Sequence, residues 1–233
     1  MTRPVAPGAV GVVVVAAGRG DRLGGDEPKA LVAVAGVPLV VHALGRLERA
    51  GLPPAVVVHP PGDESAFAAA LTDREVLALV EGGATRTDSV RRGVGALGDV
   101  EVVLVHDAAR AFTPPEMIRR VLRAVGPGVL AAAPARPVPD TLKRVDGEGT
   151  VLGTVDRDGL VGVQTPQAFP HEVLLRALAL GDDATDELAL VERLVASGDL
   201  EGRVVTVAGS ALALKVTFPD DLAVAERLAG SRA

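Results

Sequence analysis

The chemistry of this chain is concentrated in a few short blocks of small and charged residues. The first is Ala16-Ala17-Gly18-Arg19-Gly20-Asp21-Arg22-Leu23-Gly24, followed by Pro28-Lys29. It begins where the β-branched run Val12-Val13-Val14-Val15 stops. Such a run fits a strand buried on both faces. Glycines at its end let backbone N–H groups approach a ligand with no side chain between them. Arg22 and Lys29 add two cations to the same loop. A glycine-rich turn at the carboxyl end of a buried first strand is where open α/β sheets bind phosphates. The expected ligand is a nucleotide; a glycine turn carrying two solvated cations is the plainer alternative.

Two familiar phosphate loops do not fit. A P-loop needs glycine followed directly by Lys and Ser/Thr, whereas Gly24-Gly25 leads into Asp26-Glu27-Pro28. The dinucleotide fingerprint needs glycine where Leu23 stands and a helix opening at once, and Pro28 with the acidic pair favours an extended loop instead.

Other candidates lie at the ends of later apolar runs. Asp107 follows such a run and suits a divalent metal or a substrate hydroxyl, or simply caps the next turn. Arg110 carries donors that match paired phosphate oxygens, and His106 reads as a packed strand-end histidine. Gly82-Gly83 allows close backbone approach, and Ser89 offers a hydrogen bond to a base edge. The competing account is a tight turn with Thr87 or Asp88 as helix cap. Thr185-Asp186-Glu187 reads as a capping signature. Lys215 interrupts the apolar run Ala211–Val216, and an unpaired buried lysine costs several kcal/mol. A bound phosphate would remove that cost, as would an edge position facing water. No Ser-His-Asp set, histidine-rich metal cluster or close carboxylate pair stands out. Scattered cations at strand ends are what phosphoryl and nucleotidyl transfer require, since catalysis there is mainly positioning and charge neutralisation.

Composition narrows the partners. The 233 residues suffice for a sizeable core. With no Trp or Tyr, four Phe and a net charge of −6, the chain lacks both the stacking platforms and the basic surface of nucleic-acid binders. Cysteine is absent, which excludes disulfides, thiolate metal sites and a cysteine nucleophile. Nothing approaches the roughly twenty apolar residues that span a bilayer. Pro4, Pro7 and Gly8 spoil any likeness to a signal peptide. A cytoplasmic protein without membrane or nucleic-acid partners is expected.

The elements that must position these blocks alternate regularly. Strands are expected at Val12–Val15, Ala55–Val58, Val76–Val80, Val100–Val105 and Val129–Ala133. The helices between them run from Val37-Pro38 to Ala50, from an Asp63 cap to Leu71, over Thr87–Leu97, and onward from a Thr113 cap with Pro114 at its first position. That rhythm calls for an α/β fold with a mostly parallel sheet covered on both faces. Between Pro134 and Val163 it breaks. Short β-type pieces at Thr141–Val145, Thr150–Val155 and Leu160–Val163, with Asp146-Gly147 and Asp158-Gly159 turns, predict a projecting hairpin arm. Helices return at His171–Leu180 and, capped by Thr185, at Asp186–Ala196. Strands at Arg203–Val207 and Leu212–Val216 precede a last helix over Pro219–Leu228.

In series, these blocks resemble the 2-C-methyl-D-erythritol 4-phosphate cytidylyltransferase family. The resemblance rests on Ala16–Gly24, Pro28-Lys29, Gly82-Gly83 with Arg86 and Ser89-Val90, and His106-Asp107-Ala108-Ala109-Arg110. It continues through Asp140-Thr141-Leu142-Lys143, Thr154-Val155-Asp156-Arg157, Gln164-Thr165-Pro166-Gln167, Thr185-Asp186-Glu187 and Lys215-Val216-Thr217. It implies a three-layer Rossmann-like nucleotidyltransferase fold over residues 1–233, with a dimerisation β-arm at about residues 135–160. It also implies a reaction in which the acceptor phosphate attacks the α-phosphorus of CTP and releases pyrophosphate. By that likeness Arg22, Lys29, Arg157 and Lys215 are catalytic, and Ala16, Ala17, Gly18, Gly82 and Ser89 bind the nucleotide. Asp107, Arg110, Thr141 and Thr165 bind the acceptor. Mg²⁺ rides mainly on the CTP phosphates with no dedicated protein cage, and homodimers exchange their β-arms. Departures from the family pattern are Ala111 for a usual proline, Ala213 for a common asparagine, and Leu188-Ala189 for Ala-Ser. The competing functions are a ribitol 5-phosphate cytidylyltransferase and a non-catalytic nucleotide-binding module.

Overall fold

The computed structural model describes residues 10–24 and 27–230. In chain order it begins with β1 (Val10–Val15), β2 (Ala33–Val34), β3 (Val37–Pro38), α1 (Leu39–Arg49), β4 (Val56–His59) and α2 (Glu64–Ala70). Then come β5 (Ala78–Glu81), α3 (Arg86–Gly95), β6 (Val102–Asp107), α4 (Pro115–Ala124) and β7 (Val129–Pro137). The second half comprises β8 (Leu142–Val145), β9 (Val151–Val155), β10 (Val161–Val163), β11 (Gln167–Pro170), α5 (His171–Leu178), α6 (Glu187–Ala196), β12 (Arg203–Ala208) and α7 (Pro219–Gly230).

Eight strands form one sheet in the order β10-β7-β11-β6-β1-β4-β5, with β12 also paired to β7. Pairings β1–β4, β1–β6, β4–β5 and β7–β12 are parallel, and those of β10 and β11 are antiparallel. Period-two alternation of β1 explains the three layers. Val10, Val12 and Val14 enter one core with α1, α2 and α4. Val13 enters the other with α3, α5 and α6. The mostly parallel mixed sheet covered on both faces is therefore as expected.

Local chemistry shifts several boundaries. Pro38 caps α1 rather than opening its first turn, because Ala35 (φ 50°) and Gly36 (φ 75°) fold β2 and β3 into a tiny hairpin first. Pro114, not Thr113, caps α4, and the Thr113 hydroxyl instead donates to the Arg110 carbonyl at 2.9 Å. Asp186, not Thr185, caps α6, its Oδ1 accepting from the Ala189 N–H at 3.1 Å. The apolar piece before Lys215 is no strand. Ala211–Ala213 makes a single 3₁₀ turn, and the chain beyond it is tied down by the Val216 N–H donating to the Ala109 carbonyl at 2.9 Å. The hairpin of β8 and β9 is present and largely exposed, whereas β10 joins the main sheet against β7.

A third, smaller cluster buries Val34, Leu39, Ala111, Phe112, Val216 and Ala225. It locks the β2–β3 hairpin, the loop after β6 and the Lys215 segment to α7. Helix α3 lies close on the sheet because Gly93 has no side chain: a Cβ there would sit 2.6 Å from Val13 Cγ1 and 2.7 Å from Val58 Cγ2. Gly93→Ala should therefore destabilise the fold by about 1–2 kcal/mol, despite alanine's better helix propensity. Urea unfolding should show a lower midpoint at unchanged slope; a midpoint at or above wild type would contradict the close packing.

Candidate active site

The chain runs from β1 to β4 on one side and returns to β6 on the other, so the crevice beyond their carboxyl ends is a topological switch point, where open sheets bind ligands. A cavity of about 310 Å³ lies there. Ala16, Ala17 and Gly18 after β1 line it with Gly83 to Arg86 and Ser89 before and within α3. Asp107 and Ala109 of β6 and its loop, Lys29 and Lys215 complete it.

Lys29 reaches the cavity through the glycine loop. Gly20 takes φ 84°, and a Cβ on it would stand 2.7 Å from the Lys29 Cβ, so only glycine lets the loop fold over that stem. Burial pushes the Lys29 ammonium below its ordinary range, and neighbouring Lys215, Arg22 and Arg110 push it further, against the pull of Asp107. Arg22 is exposed beside this cluster, its guanidinium over the Phe218 ring at 5.5 Å. Such crowding of cations is costly until an anion arrives.

Asp107 organises the cations. Its Oδ2 accepts from Lys215 Nζ at 2.7 Å and its Oδ1 from Arg86 Nη2 at 3.1 Å. Although burial opposes ionisation, Arg86 and Lys215 together hold the carboxyl well below the usual range. Arg86 turns its other nitrogen, Nη1, to the fully buried Glu187, at 2.5 Å from Oε1. The two carboxylates hold the Arg86 guanidinium above its usual range. The backbone N–H of Asp107 donates to Thr165 Oγ1 at 3.0 Å, and that hydroxyl lies 3.2 Å from His106 Nδ1.

The sequence-derived candidates separate into groups. Ala16, Ala17, Gly18, Ser89, Lys29, Asp107 and Lys215 share the cavity. Gly82 is buried beside Ala17, and Thr165 buttresses Asp107 from behind. The Ser89 hydroxyl, expected at a base edge, accepts from the Gly83 N–H at 3.1 Å and donates to the Thr85 carbonyl at 2.9 Å. Thr85, not Thr87 or Asp88, caps α3. Arg110 donates through Nη1 to the Ala213 carbonyl at 2.7 Å and so braces the segment that presents Lys215, while its Nε is buried with no hydrogen-bond partner among the described residues. Thr141 and Arg157 lie exposed on the arm, where Arg157 donates to the Pro139 carbonyl, and neither lines this chain's cavity. Arg86 and Glu187 belong to the site without having been singled out for it. The available signal was an arginine directly after a glycine-rich strand end.

The fold and the cation-lined switch point define a nucleotide-binding α/β protein of the nucleotidyltransferase class. The comparisons sharpen that class. The family model described as 2-C-methyl-D-erythritol 4-phosphate cytidylyltransferase matches residues 10–230, and the chain belongs to that family. It is 49% identical over 228 residues to the protein of that name from Nocardia farcinica, covering 97% of this chain and 96% of that one. It is 50% identical to the one from Saccharopolyspora erythraea, covering 94% and 98%. The crystal structure of the Thermus thermophilus protein of that name superposes with a TM-score of 0.76 at 36% identity, covering 94% and 98%.

Full burial pushes the His106 imidazole from about 6.5 down to about 4, with nearby Arg110 acting in the same direction against Asp107. The folded state thus refuses a proton that the unfolded chain accepts. Stability is fully present above the ordinary histidine pKa and is lost as the pH falls from about 6.5 to about 4, by about 3 kcal/mol at 1.36 kcal/mol per unit. Urea unfolding followed across this window should show that loss in wild type, and a flatter profile in His106→Gln. Asp107 contributes with the same sign, but only below the ordinary carboxylate range. Parallel profiles for the two proteins would contradict a neutral His106.

Proposed function

We propose that this chain transfers CMP from CTP to 2-C-methyl-D-erythritol 4-phosphate, releasing pyrophosphate, in isoprenoid precursor synthesis. The observation that carries the reading is the cavity's charge. Four cations, Lys29, Arg86 and Lys215 with Arg22 beside them, outnumber the two carboxylates, Asp107 and Glu187, around a crevice walled by backbone and small side chains. A triphosphate supplies the missing negative charge, and a pyrimidine needs only the space left by Ala16, Ala17, Gly18, Gly82 and Ser89. An acceptor phosphate oxygen attacks the α-phosphorus as the bond to the bridging oxygen breaks, and that electron pair leaves with pyrophosphate. Lys29 and Arg22 stabilise the charge that gathers there in the transition state. Lys215 and Asp107 orient the acceptor, with Thr165 and Arg110 holding them in place, and Thr141 and Arg157 act from an arm.

Among the described residues no group of three His, Asp or Glu side chains forms a metal cage, and Asp107 is already paired with two cations. The donor set therefore suits Mg²⁺ carried on the triphosphate, with at most an oxygen of Asp107 as a protein ligand. When bound, the ion neutralises triphosphate charge and assists departure of pyrophosphate. No helix among the described residues is long and apolar enough to cross a membrane. The exposed Val145, Val151 and Leu152 of the arm support a homodimer whose arms exchange, bringing Arg157 to the partner's site.

Pyrophosphate release with CTP and Mg²⁺ tests the reaction. Release with methylerythritol phosphate is expected. Release with ribitol 5-phosphate alone would assign the other acceptor, and release with neither would leave a binding module. Lys29→Ala should lower kcat by about 10²–10³-fold with little change in the KM for CTP, since its contact strengthens in the transition state. Near-normal turnover would remove Lys29 from the mechanism. If the arms exchange, random mixing of inactive Lys29→Ala and Arg157→Ala chains should restore about one quarter of the wild-type rate, because half the dimers hold one intact site of two. A dead mixture, despite demonstrated subunit exchange, would refute the exchanged arm.

A further inference from the structure

Glu187 is a fully buried carboxylate that helix capping does not explain. The cap of α6 is made by Asp186, and Glu187 occupies the first helical position beyond it. Its Oε1 takes Arg86 Nη1, while Oε2 is buried without a hydrogen-bond partner among the described residues. A buried charge held by a single partner is an expensive way to begin a helix, and an apolar side chain would fill the space more cheaply. What Glu187 does accomplish is geometric. Arg86 is gripped at both ends of its guanidinium, by Glu187 on Nη1 and Asp107 on Nη2. Asp107 is gripped in turn by Arg86 on Oδ1 and Lys215 on Oδ2. The chain of contacts Glu187–Arg86–Asp107–Lys215 runs from the buried end of α6 to an ammonium at the cavity wall. Burial pushes the Glu187 carboxyl above its ordinary range, against the pull of Arg86; the close contact with Arg86 is what keeps it a carboxylate, so the network sets two carboxylates against two cations and Arg86 does not claim Asp107 for itself.

We propose that Glu187 is a positioning residue for acceptor binding: by fixing Arg86 it frees Asp107 to hold Lys215 in the orientation that receives the acceptor phosphate. This rests on the reaction proposed above and adds to it a residue that touches neither substrate. With Glu187→Gln the shape and one acceptor remain while the charge is lost. Arg86 then pairs with Asp107 alone, and Lys215 loses its partner to that competition. Glu187→Asp keeps the charge but withdraws it by one methylene, so its defect should be smaller than that of the glutamine variant.

Steady-state kinetics and ammonium NMR test the relay together. In folded Glu187→Gln, kcat/KM for the acceptor should fall at least about tenfold, with the KM for CTP changing less than about threefold. Arg86→Gln should give a similar acceptor defect, and the double variant should lose much less than the product of the two, as expected for residues acting in one chain. Independently of turnover, the Lys215 ammonium resonance, assigned through Lys215→Arg, should shift and broaden in Glu187→Gln as its bond to Asp107 loosens. Equal losses for CTP and acceptor, or a lower Tm with wild-type constants, would make Glu187 a purely structural group and overturn the proposal. An unmoved Lys215 resonance would overturn it as well. If wild type releases no pyrophosphate but the resonance moves, the relay stands and the assigned reaction falls.

Discussion

The structure depends on one buried carboxylate kept charged. Asp107 stands at the end of β6, below the solvent, where a lone carboxylate would take up a proton. Two cations from opposite ends of the chain prevent this, Arg86 opening α3 and Lys215 following β12. The triad therefore ties three distant segments together, and with Glu187 paired to Arg86 the excess positive charge of the wall falls on Lys29. A buried ion network of this kind adds little net stability but fixes geometry, because breaking it strands a charge.

The sheet makes that convergence possible. Because β1 is flanked by β4 and β6, loops from both halves of the fold open over the same edge. The glycine loop after β1 wraps Lys29, the Gly82-Gly83 turn delivers Arg86 and Ser89, and the loop after β6 delivers Asp107. Arg110 and Val216 then stitch the Lys215 segment to the loop after β6, through the carbonyl of Ala213 and that of Ala109. The depressed Lys29 ammonium is a consequence of its burial first and of this crowding second. Excess positive charge in a partly buried crevice is weakly screened and favours a polyanionic ligand.

What was legible in the sequence was whatever a single segment decides. The valine runs and their intervening amphipathic stretches gave the layered sheet, and the turn signals at Asp146-Gly147 gave the arm hairpin. Lys215 was conspicuous because it interrupts an apolar run, and its ion pair with Asp107 is the resolution of that anomaly. Strand β11 escaped notice: four residues long, it lies between Pro166 and its own Pro170, and only its partners β6 and β7 make it a strand. The short apolar run before Lys215 suited a strand as well as the 3₁₀ turn that forms. Capping residues were misplaced by one to three positions where several polar residues stood side by side, as at Thr185-Asp186 and Thr85 to Asp88. The Arg86–Glu187 pair joins residues 101 positions apart, and no local pattern announces it.

The proposed reaction requires Lys29 and Lys215 to face one bound triphosphate beside Asp107. A crystal structure with CTP and Mg²⁺ tests it most directly. The α-phosphate should lie against Lys29, the triphosphate along the Gly18–Gly24 loop, and the Lys215–Asp107 bond should stay intact at the acceptor side. Phosphates bound at another surface, with Lys29 and Lys215 left without an anion, would contradict it.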